Sequence, residues 1–188
     1  MMVQLKEKAK KNPKRVVLPE GEEERILKAA EISLREGIAH PILLGDEDTI
    51  LRRASDLGVN LKGVKILNPE KSQDLERYAS LYCKIRKEKN VNERIAKRIL
   101  RKSLYFGAMM VRAGDADGMV VGAVNLTASV IRAGSLIIGL QKNISTPSSF
   151  FVMSVPNFEG GENGVCLFAD AAVNPEPYPS QLADIAVS

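Results

Sequence analysis

Short apolar runs alternate with helical segments four times before residue 142, and this order constrains the fold more than any other feature. The runs are mostly aliphatic and lie at residues 15–18, 41–44, 64–67 and 119–121. Short strands that are apolar along their whole length are typical of parallel sheets buried by helices on both faces. The sequence therefore predicts an α/β protein with a three-layer, parallel-sheet domain.

A second unit is predicted to begin at residue 142. Residues 142–148 have the composition of a linker, and an apolar hairpin follows the basic helices. We therefore divide the chain into a first, incomplete α/β domain (1–141) and the beginning of a second α/β domain (142–188). Because the sequence stops within an amphipathic helix without a C-terminal glycine or basic last turn, we expect an N-terminal fragment, or a surface that another subunit covers.

Charge is distributed unevenly along the chain. Residues 84–102 hold nine Lys and Arg against two Glu, whereas residues 115–188 hold seven acids and only Arg132 and Lys142 as bases. A basic segment of this kind forms either a solvated helix face or a site for a polyanion. Nucleic acid is the less favoured partner, because Trp is absent and the chain contains only four Tyr and five Phe for base stacking.

Several classes of protein are excluded by composition. The longest apolar runs fall well short of the ~20 residues that cross a bilayer, and the basic N-terminus lacks the apolar core of a secretory signal. One histidine and two distant cysteines do not provide a metal site or a disulfide framework. We therefore expect a cytoplasmic protein without a bound metal and without a membrane segment.

The most promising binding segment follows the fourth apolar run. Gly122 is followed by a predicted helix start that contains Thr127 and Ser129, and Arg132 shares a helix face with Ser129. Such a start offers backbone N–H groups to an anion, and a guanidinium can hold a phosphate through two hydrogen bonds. The alternative is that Thr127 or Ser129 is an ordinary N-cap and Arg132 a surface base.

Two other strand or helix ends are candidate places for an anion. The four acids among residues 20–24 repel phosphate, and we interpret them as capping groups of a helix that begins at Glu20. The basic helix end at 84–87 could direct one side chain into the same cleft. No nucleophile, base and acid combine into a catalytic set, since the chain has a single histidine.

The chain resembles the phosphate acetyltransferase (phosphotransacetylase) family from about residue 16 to residue 188. The most specific matches are SVP at 154–156 and FADAAVNP at 168–175. Further matching stretches are VLPE at 17–20, ILLG at 42–45, IRK at 85–87, YFGAMM at 105–110 and DGMVVGA at 117–123.

This resemblance implies a fold similar to that of the isocitrate and isopropylmalate dehydrogenases, with an active site between two α/β domains. The implied activity is reversible acyl transfer, acetyl-CoA and phosphate giving coenzyme A and acetyl phosphate. Coenzyme A is then a substrate, no further cofactor is implied, and the expected assembly is a homodimer. Catalysis in this family rests on positioning and charge rather than on a covalent acyl-enzyme.

Residue by residue, the resemblance assigns Arg132 to the phosphate or acyl phosphate and Arg86 to coenzyme A. Thr127 and Ser129 fall in the hydroxyl-rich binding segment of the family. The catalytic aspartate and the serine–arginine pair of the family lie beyond residue 188, so no catalytic residue is assigned here, and the chain alone is expected to be inactive. Phosphate butyryltransferase and a polyanion-binding domain that uses residues 84–102 remain the alternatives.

Overall fold

The computed structural model describes residues 1–156, 158–162 and 164–188, which fall into two compact units, Met2–Ile138 and Gly139–Ser188. A 3-10 turn at Lys87–Lys89 and a π-helical turn at Gly134–Ile138 accompany the regular elements. The elements in chain order are α1 (Met2–Lys10), β1 (Lys14–Leu18), α2 (Glu24–Arg35), β2 (Ala39–Leu44), α3 (Glu47–Asp56), β3 (Lys65–Leu67), α4 (Leu75–Ile85), α5 (Glu93–Leu100), α6 (Ser103–Ala113), β4 (Gly118–Met119), α7 (Thr127–Ala133), β5 (Phe150–Ser154), β6 (Val165–Ala169) and α8 (Pro179–Val187).

The first unit is built on a parallel sheet with the strand order β3-β2-β1-β4, which confirms the predicted architecture. Val17 of β1 is in register with Ile42 of β2 on one side and with Met119 of β4 on the other. The chain therefore adds strands on one side of β1 and then returns to add β4 on the opposite side.

Helices cover both faces of this sheet, because successive residues of β1 and β2 point to opposite sides. Leu18 and Leu43 pack with α2 and α3, whereas Val17 and Ile42 pack with α4, α5 and α6. The second of these cores is the larger and contains the edge-to-face pair of Tyr78 and Phe106 (ring centroids 5.1 Å apart). The two cores make the domain three layers thick.

Helix α6 lies unusually close to β1, and a glycine permits this approach. A Cβ atom on Gly107 would stand 2.7 Å from the Val17 Cγ1 atom and 3.1 Å from the Pro19 Cγ atom. Any larger side chain at this position would push α6 away from the sheet. The close packing fixes the position of the residue stretch that leads into β4.

Several element boundaries differ from those that the sequence predicts. Helix α2 begins at Glu24 rather than Glu20, because the Glu23 carboxylate accepts hydrogen bonds from the N–H groups of Arg25 and Ile26 and thus caps it. The helix predicted over 127–140 is α-helical only to Ala133 and continues as a π-helical turn. Strand β4 is shorter than predicted and pairs over two residues.

The second unit consists of the antiparallel hairpin β5–β6 followed by α8. Two carboxylates organise its loops: Asp184 accepts hydrogen bonds from Ser145, and Asp170 accepts from Ser149 and Asn174. Asp170 thus caps the turn that follows β6. The hairpin leaves large apolar side chains exposed, among them Phe150, Phe151, Leu167 and Phe168. The division into domains at 1–141 and 142–188 stays a prediction.

Among the described residues, no helix combines the length and the apolar composition that crossing a bilayer requires.

Candidate active site

The strand order places a topological switch point between β1 and β4. In open parallel sheets, ligands bind where the chain leaves the carboxyl ends of the two strands on either side of such a point. Here these exits are residues 19–23, which lead into α2, and residues 120–126, which lead into α7. The segment with three of the four predicted binding residues, Thr127, Ser129 and Arg132, thus begins at the edge where a ligand is expected.

A carboxylate of the protein itself occupies the backbone N–H groups at this edge. Oε2 of Glu20 accepts hydrogen bonds from the N–H groups of Gly122 (3.0 Å) and Ala123 (2.8 Å). Oε1 accepts from the N–H groups of Val124 (2.8 Å) and Asn125 (2.6 Å) and from the Asn125 Nδ2 atom (2.9 Å). Four consecutive amides therefore converge on one anion, which is 8% exposed.

The hydrogen bonds around Glu20 determine its ionisation. Burial of the carboxylate opposes its charge, but the bonds from Asn125, Val124 and Ala123 outweigh this effect and lower the pKa of Glu20 to about 2, from an ordinary value of 4.5. The side chain is therefore a permanent anion at neutral pH. Its charge is offset by the N–H donors of residues 122–125.

This arrangement corrects two interpretations of the sequence. Glu20 was predicted to cap α2, but its carboxylate binds a loop about 100 residues away in the chain. The second concerns the turn before α7, where residues 122–125 already donate their N–H groups to Glu20. The predicted anion site at the start of α7 lies beyond this turn and stays a prediction.

Helix α7 presents the predicted binding residues after this loop. Leu126 occupies the N-cap position, so the alternative that Thr127 or Ser129 is the N-cap is wrong. Thr127 is exposed in the first turn, Ser129 is half-buried, and Arg132 is exposed in the last turn. The three side chains are therefore available to a ligand along one short helix.

The structure brings Arg86 into the neighbourhood of Arg132. Helix α4 begins near the amino edge of the sheet. There the Arg77 guanidinium binds Asp115, which lies shortly before β4. The helix ends with Arg86 as its half-buried C-cap. Burial raises the pKa of the Tyr82 phenol, while the charges of both Arg86 and Arg132 act on it in the opposite direction. The ends of α4 and α7 border the same buried core, which contains Tyr82 and Ala133.

A separate cavity of about 290 Å³ opens at the carboxyl edge of β1 and β2. Its lining includes Glu20, Glu22 and Glu23, together with Arg53 and Ser103. These acids make it a poor site for a phosphate. Among the described residues that line it, Arg86, Thr127, Ser129 and Arg132 do not occur, so this cavity is not the predicted anion site.

In residues 1–156, 158–162 and 164–188, no three His, Cys, Asp or Glu side chains are grouped so that they could hold a metal ion. The arginine pair instead provides two fixed positive charges and up to ten N–H donors in total, about five for each guanidinium. Such a pair can bind and orient phosphate groups.

Glu20 gives the chain a measurable dependence of stability on pH. Because its pKa is lowered on folding, its contribution is complete above about pH 4.5 and is lost as the pH falls towards 2. The shift corresponds to about 3 kcal/mol. We expect Glu20→Gln to lower the free energy of unfolding at pH 7, and the difference from the unmodified chain to shrink between pH 4.5 and 2.5.

Denaturant unfolding of both chains at pH 7, 4.5 and 2.5 measures this difference. The comparison with E20Q is needed because other carboxylates with a lowered pKa, such as Asp115 and Asp117, also contribute to acid sensitivity. A difference that stays constant over this pH range would contradict the role given to the Glu20 charge.

Comparison with known proteins identifies relatives along the whole chain. Residues 1–188 match the family model described as phosphate acetyl/butaryl transferase. The chain is 48% identical over 181 residues to a phosphate acetyltransferase of Thermoanaerobacterium thermosaccharolyticum, which covers 96% of this chain and 55% of that protein. It is 42% identical to the phosphate acetyltransferase of Clostridium acetobutylicum, again over 96% of this chain and 54% of the relative.

Solved structures give the same result. A phosphotransacetylase from Streptococcus pyogenes superposes with a TM-score of 0.91 at 34% identity and covers 99% of this chain and 55% of its own. The EutD phosphotransacetylase from Staphylococcus aureus gives a TM-score of 0.86 at 34% identity, over 99% of this chain and 56% of its own. The chain thus spans about half the length of these relatives.

These similarities confirm the resemblance that the motifs at 154–156 and 168–175 indicate, and they do not favour the polyanion-binding alternative. The match includes the segment that carries Arg86 and the segment that carries Arg132. With the parallel sheet and the switch point of the first unit, they show that this chain belongs to the phosphate acetyl/butaryl transferase family.

Proposed function

We propose that this chain serves in reversible acyl transfer between coenzyme A and inorganic phosphate, in which acetyl-CoA and phosphate give coenzyme A and acetyl phosphate. The observation that carries the proposal is the family match over the whole length of the chain, which includes Arg86 and Arg132. The ends of α4 and α7 that carry these two residues border the same buried core. Both substrates are anions, and paired guanidinium groups suit them.

In the proposed reaction, the thiolate of coenzyme A attacks the carbonyl carbon of the acyl phosphate. The new S–C bond forms while the C–O bond to phosphate breaks, and phosphate leaves with the electron pair of that bond. Arg132 neutralises the charge that grows on the departing oxygen, and Thr127 and Ser129 donate hydrogen bonds to the phosphate group. Arg86 holds coenzyme A, so that catalysis depends on positioning and charge without a covalent acyl-enzyme.

The role of Arg86 predicts a selective kinetic defect. In the intact protein, Arg86→Ala is expected to raise the KM for coenzyme A about 10-fold and to leave kcat nearly unchanged, because one charge-assisted contact to that substrate is lost. Thioester formation from acetyl phosphate and coenzyme A, followed by absorbance, provides the measurement. Lys89→Ala, which removes an exposed charge three residues away, is the control. An unchanged KM for coenzyme A would refute the assignment.

The same assay with butyryl phosphate in place of acetyl phosphate tests the acyl preference, since the family includes transferases for both acyl groups. We propose the acetyl group because the relatives with the highest identities given above are named phosphate acetyltransferases. A higher kcat/KM for butyryl phosphate would identify the chain as part of a butyryltransferase instead.

We further propose that the protein acts in the cytoplasm as a homodimer, with coenzyme A as a substrate and with no other cofactor. Small anionic substrates, rather than nucleic acid or a membrane, are then its ligands. The two free cysteines support a reducing compartment. The exposed apolar side chains of the β5–β6 hairpin, such as Phe151 and Leu167, support a further contact surface.

A further inference from the structure

Residues before and within α2 hold the loop between β4 and α7, residues 122–125. They bind both its backbone N–H groups and one of its carbonyl groups. The Glu20 carboxylate accepts from its four N–H groups, and the Arg25 Nη2 atom donates to the carbonyl oxygen of Ala123 (2.9 Å). Arg25 is held in turn by Glu23, the N-cap of α2 (2.7 Å from Nε to Oε1). We name these contacts the Glu20 clamp.

Glu20 itself has little freedom to move. Gly21 donates its N–H to the carbonyl oxygen of Leu44 (3.1 Å), and a Cβ atom on Gly21 would stand 2.6 Å from that oxygen. The residue after Glu20 is therefore packed directly against the end of β2. A carboxylate fixed in this way, and buried with five hydrogen bonds, orients the peptide groups that it binds.

The clamped loop leads directly into the helix with the predicted substrate contacts. Only Leu126 separates Asn125 from Thr127, and Arg132 lies five residues further along α7. Because this helix has only seven residues and Arg132 is exposed, the direction in which the helix leaves the loop determines where the guanidinium stands. A misplacement of about 1 Å in such a group can lower a rate 100-fold.

We propose that Glu20 is a positioning residue for Arg132: it takes the place of an oxyanion in the loop at 122–125 and so fixes the start of α7 before substrate binds. This inference rests on the function proposed above. It also explains why the four consecutive N–H groups at the switch point donate to a side chain of the protein itself. An internal anion holds the loop whether or not phosphate is present.

The test compares E20Q, R132A and the double variant in the intact protein. The amide of E20Q keeps the shape of the side chain but turns an N–H group towards backbone N–H donors. We expect kcat/KM for acetyl phosphate to fall about 10-fold, with the KM for coenzyme A unchanged within a factor of two. If Glu20 acts through Arg132, the double variant is no slower than R132A, because the two losses are not additive.

Two further variants separate positioning from a loss of folding. E24Q makes the same chemical change at an exposed residue whose partner is Lys28, and it is expected to keep full activity. Asn125→Ala removes only the side-chain bond to Glu20 and is expected to lower the rate in the same direction by a smaller factor. Amide hydrogen exchange at residues 122–125 is expected to be faster in E20Q and unchanged in E24Q.

The possible outcomes distinguish this inference from the proposed function. If R132A is impaired and folded E20Q keeps the normal rate, the positioning role is overturned while the function of Arg132 stands. If E20Q and R132A multiply their losses, Glu20 acts independently and the inference is wrong. If R132A itself keeps the normal rate, the proposed function fails, and the positioning role fails with it. Should E20Q not fold, N125A with normal activity would overturn the inference.

Discussion

Acyl transfer by the R132A variant of the intact protein is expected to fall at least about 30-fold in kcat/KM for acetyl phosphate. A charge-assisted hydrogen bond contributes ~1.5–3 kcal/mol, and a loss of about 2 kcal/mol in the transition state corresponds to this factor. Arg132 is exposed on the last turn of α7, so its removal should leave the fold unchanged. The initial rate of thioester formation provides the measurement.

Two variants define what the guanidinium contributes. Arg132→Lys keeps the positive charge and loses the planar pair of donors, so we expect an intermediate rate. Arg52→Ala removes an exposed arginine from α3, on the opposite side of the sheet, and should leave the rate unchanged. If R132A is as fast as R52A, Arg132 does not contact the reacting phosphate.

Replacement of Phe106 by alanine is expected to lower the free energy of unfolding by about 3–5 kcal/mol, through lost burial and the cavity left behind. Phe106 is 1% exposed and makes an edge-to-face contact with Tyr78 at an interplanar angle of 69°. Its helix α6 is pressed against β1 at Gly107, so the surroundings have little room to collapse into the space. Denaturant unfolding of the chain, followed by circular dichroism, measures the change.

The exposed residue Leu51 supplies the matched comparison. Leu51→Ala also truncates an apolar side chain in a helix, but this residue is 47% exposed, and the expected change is within about 0.5 kcal/mol. Phe106→Leu should fall between the two variants. A loss below about 1 kcal/mol for F106A would show that the core around Tyr78 is loosely packed.

The strands and helices of the first unit could be predicted because the sequence patterns that indicate them lie within or next to each element. The aliphatic runs at 15–18 and 41–44 become β1 and β2, and Asp46 caps α3 as its position suggests, with its carboxylate accepting from the Thr49 N–H group. The predicted start of α2 at Glu20 was wrong because Glu23 is the N-cap, whereas Glu20 binds a distant loop. Four acids stand within five residues, and nothing in their order marks the one that binds a distant loop.

The candidate site was predictable only in part for the same reason. The residue types of Thr127, Ser129 and Arg132 suggest anion binding, and the family resemblance supplies Arg86. The ends of α4 and α7 border one core because of the course of α4, which begins where Arg77 binds Asp115. The role of Asn125 as a partner of Glu20 could not be found from spacing, because it depends on the pairing of β1 with β4.

The pairing of β1 with β4 has a consequence for the order in which the protein folds. Arg15 and Asp117, which join these strands through two side-chain hydrogen bonds (2.8 and 3.1 Å), are 102 residues apart in the chain. Closing so long a loop reduces chain entropy before any native contact compensates for it. We therefore expect β1 and β2 to dock early and β4 to dock last, so that the edge with Glu20 and the loop at 122–125 forms in the final folding step.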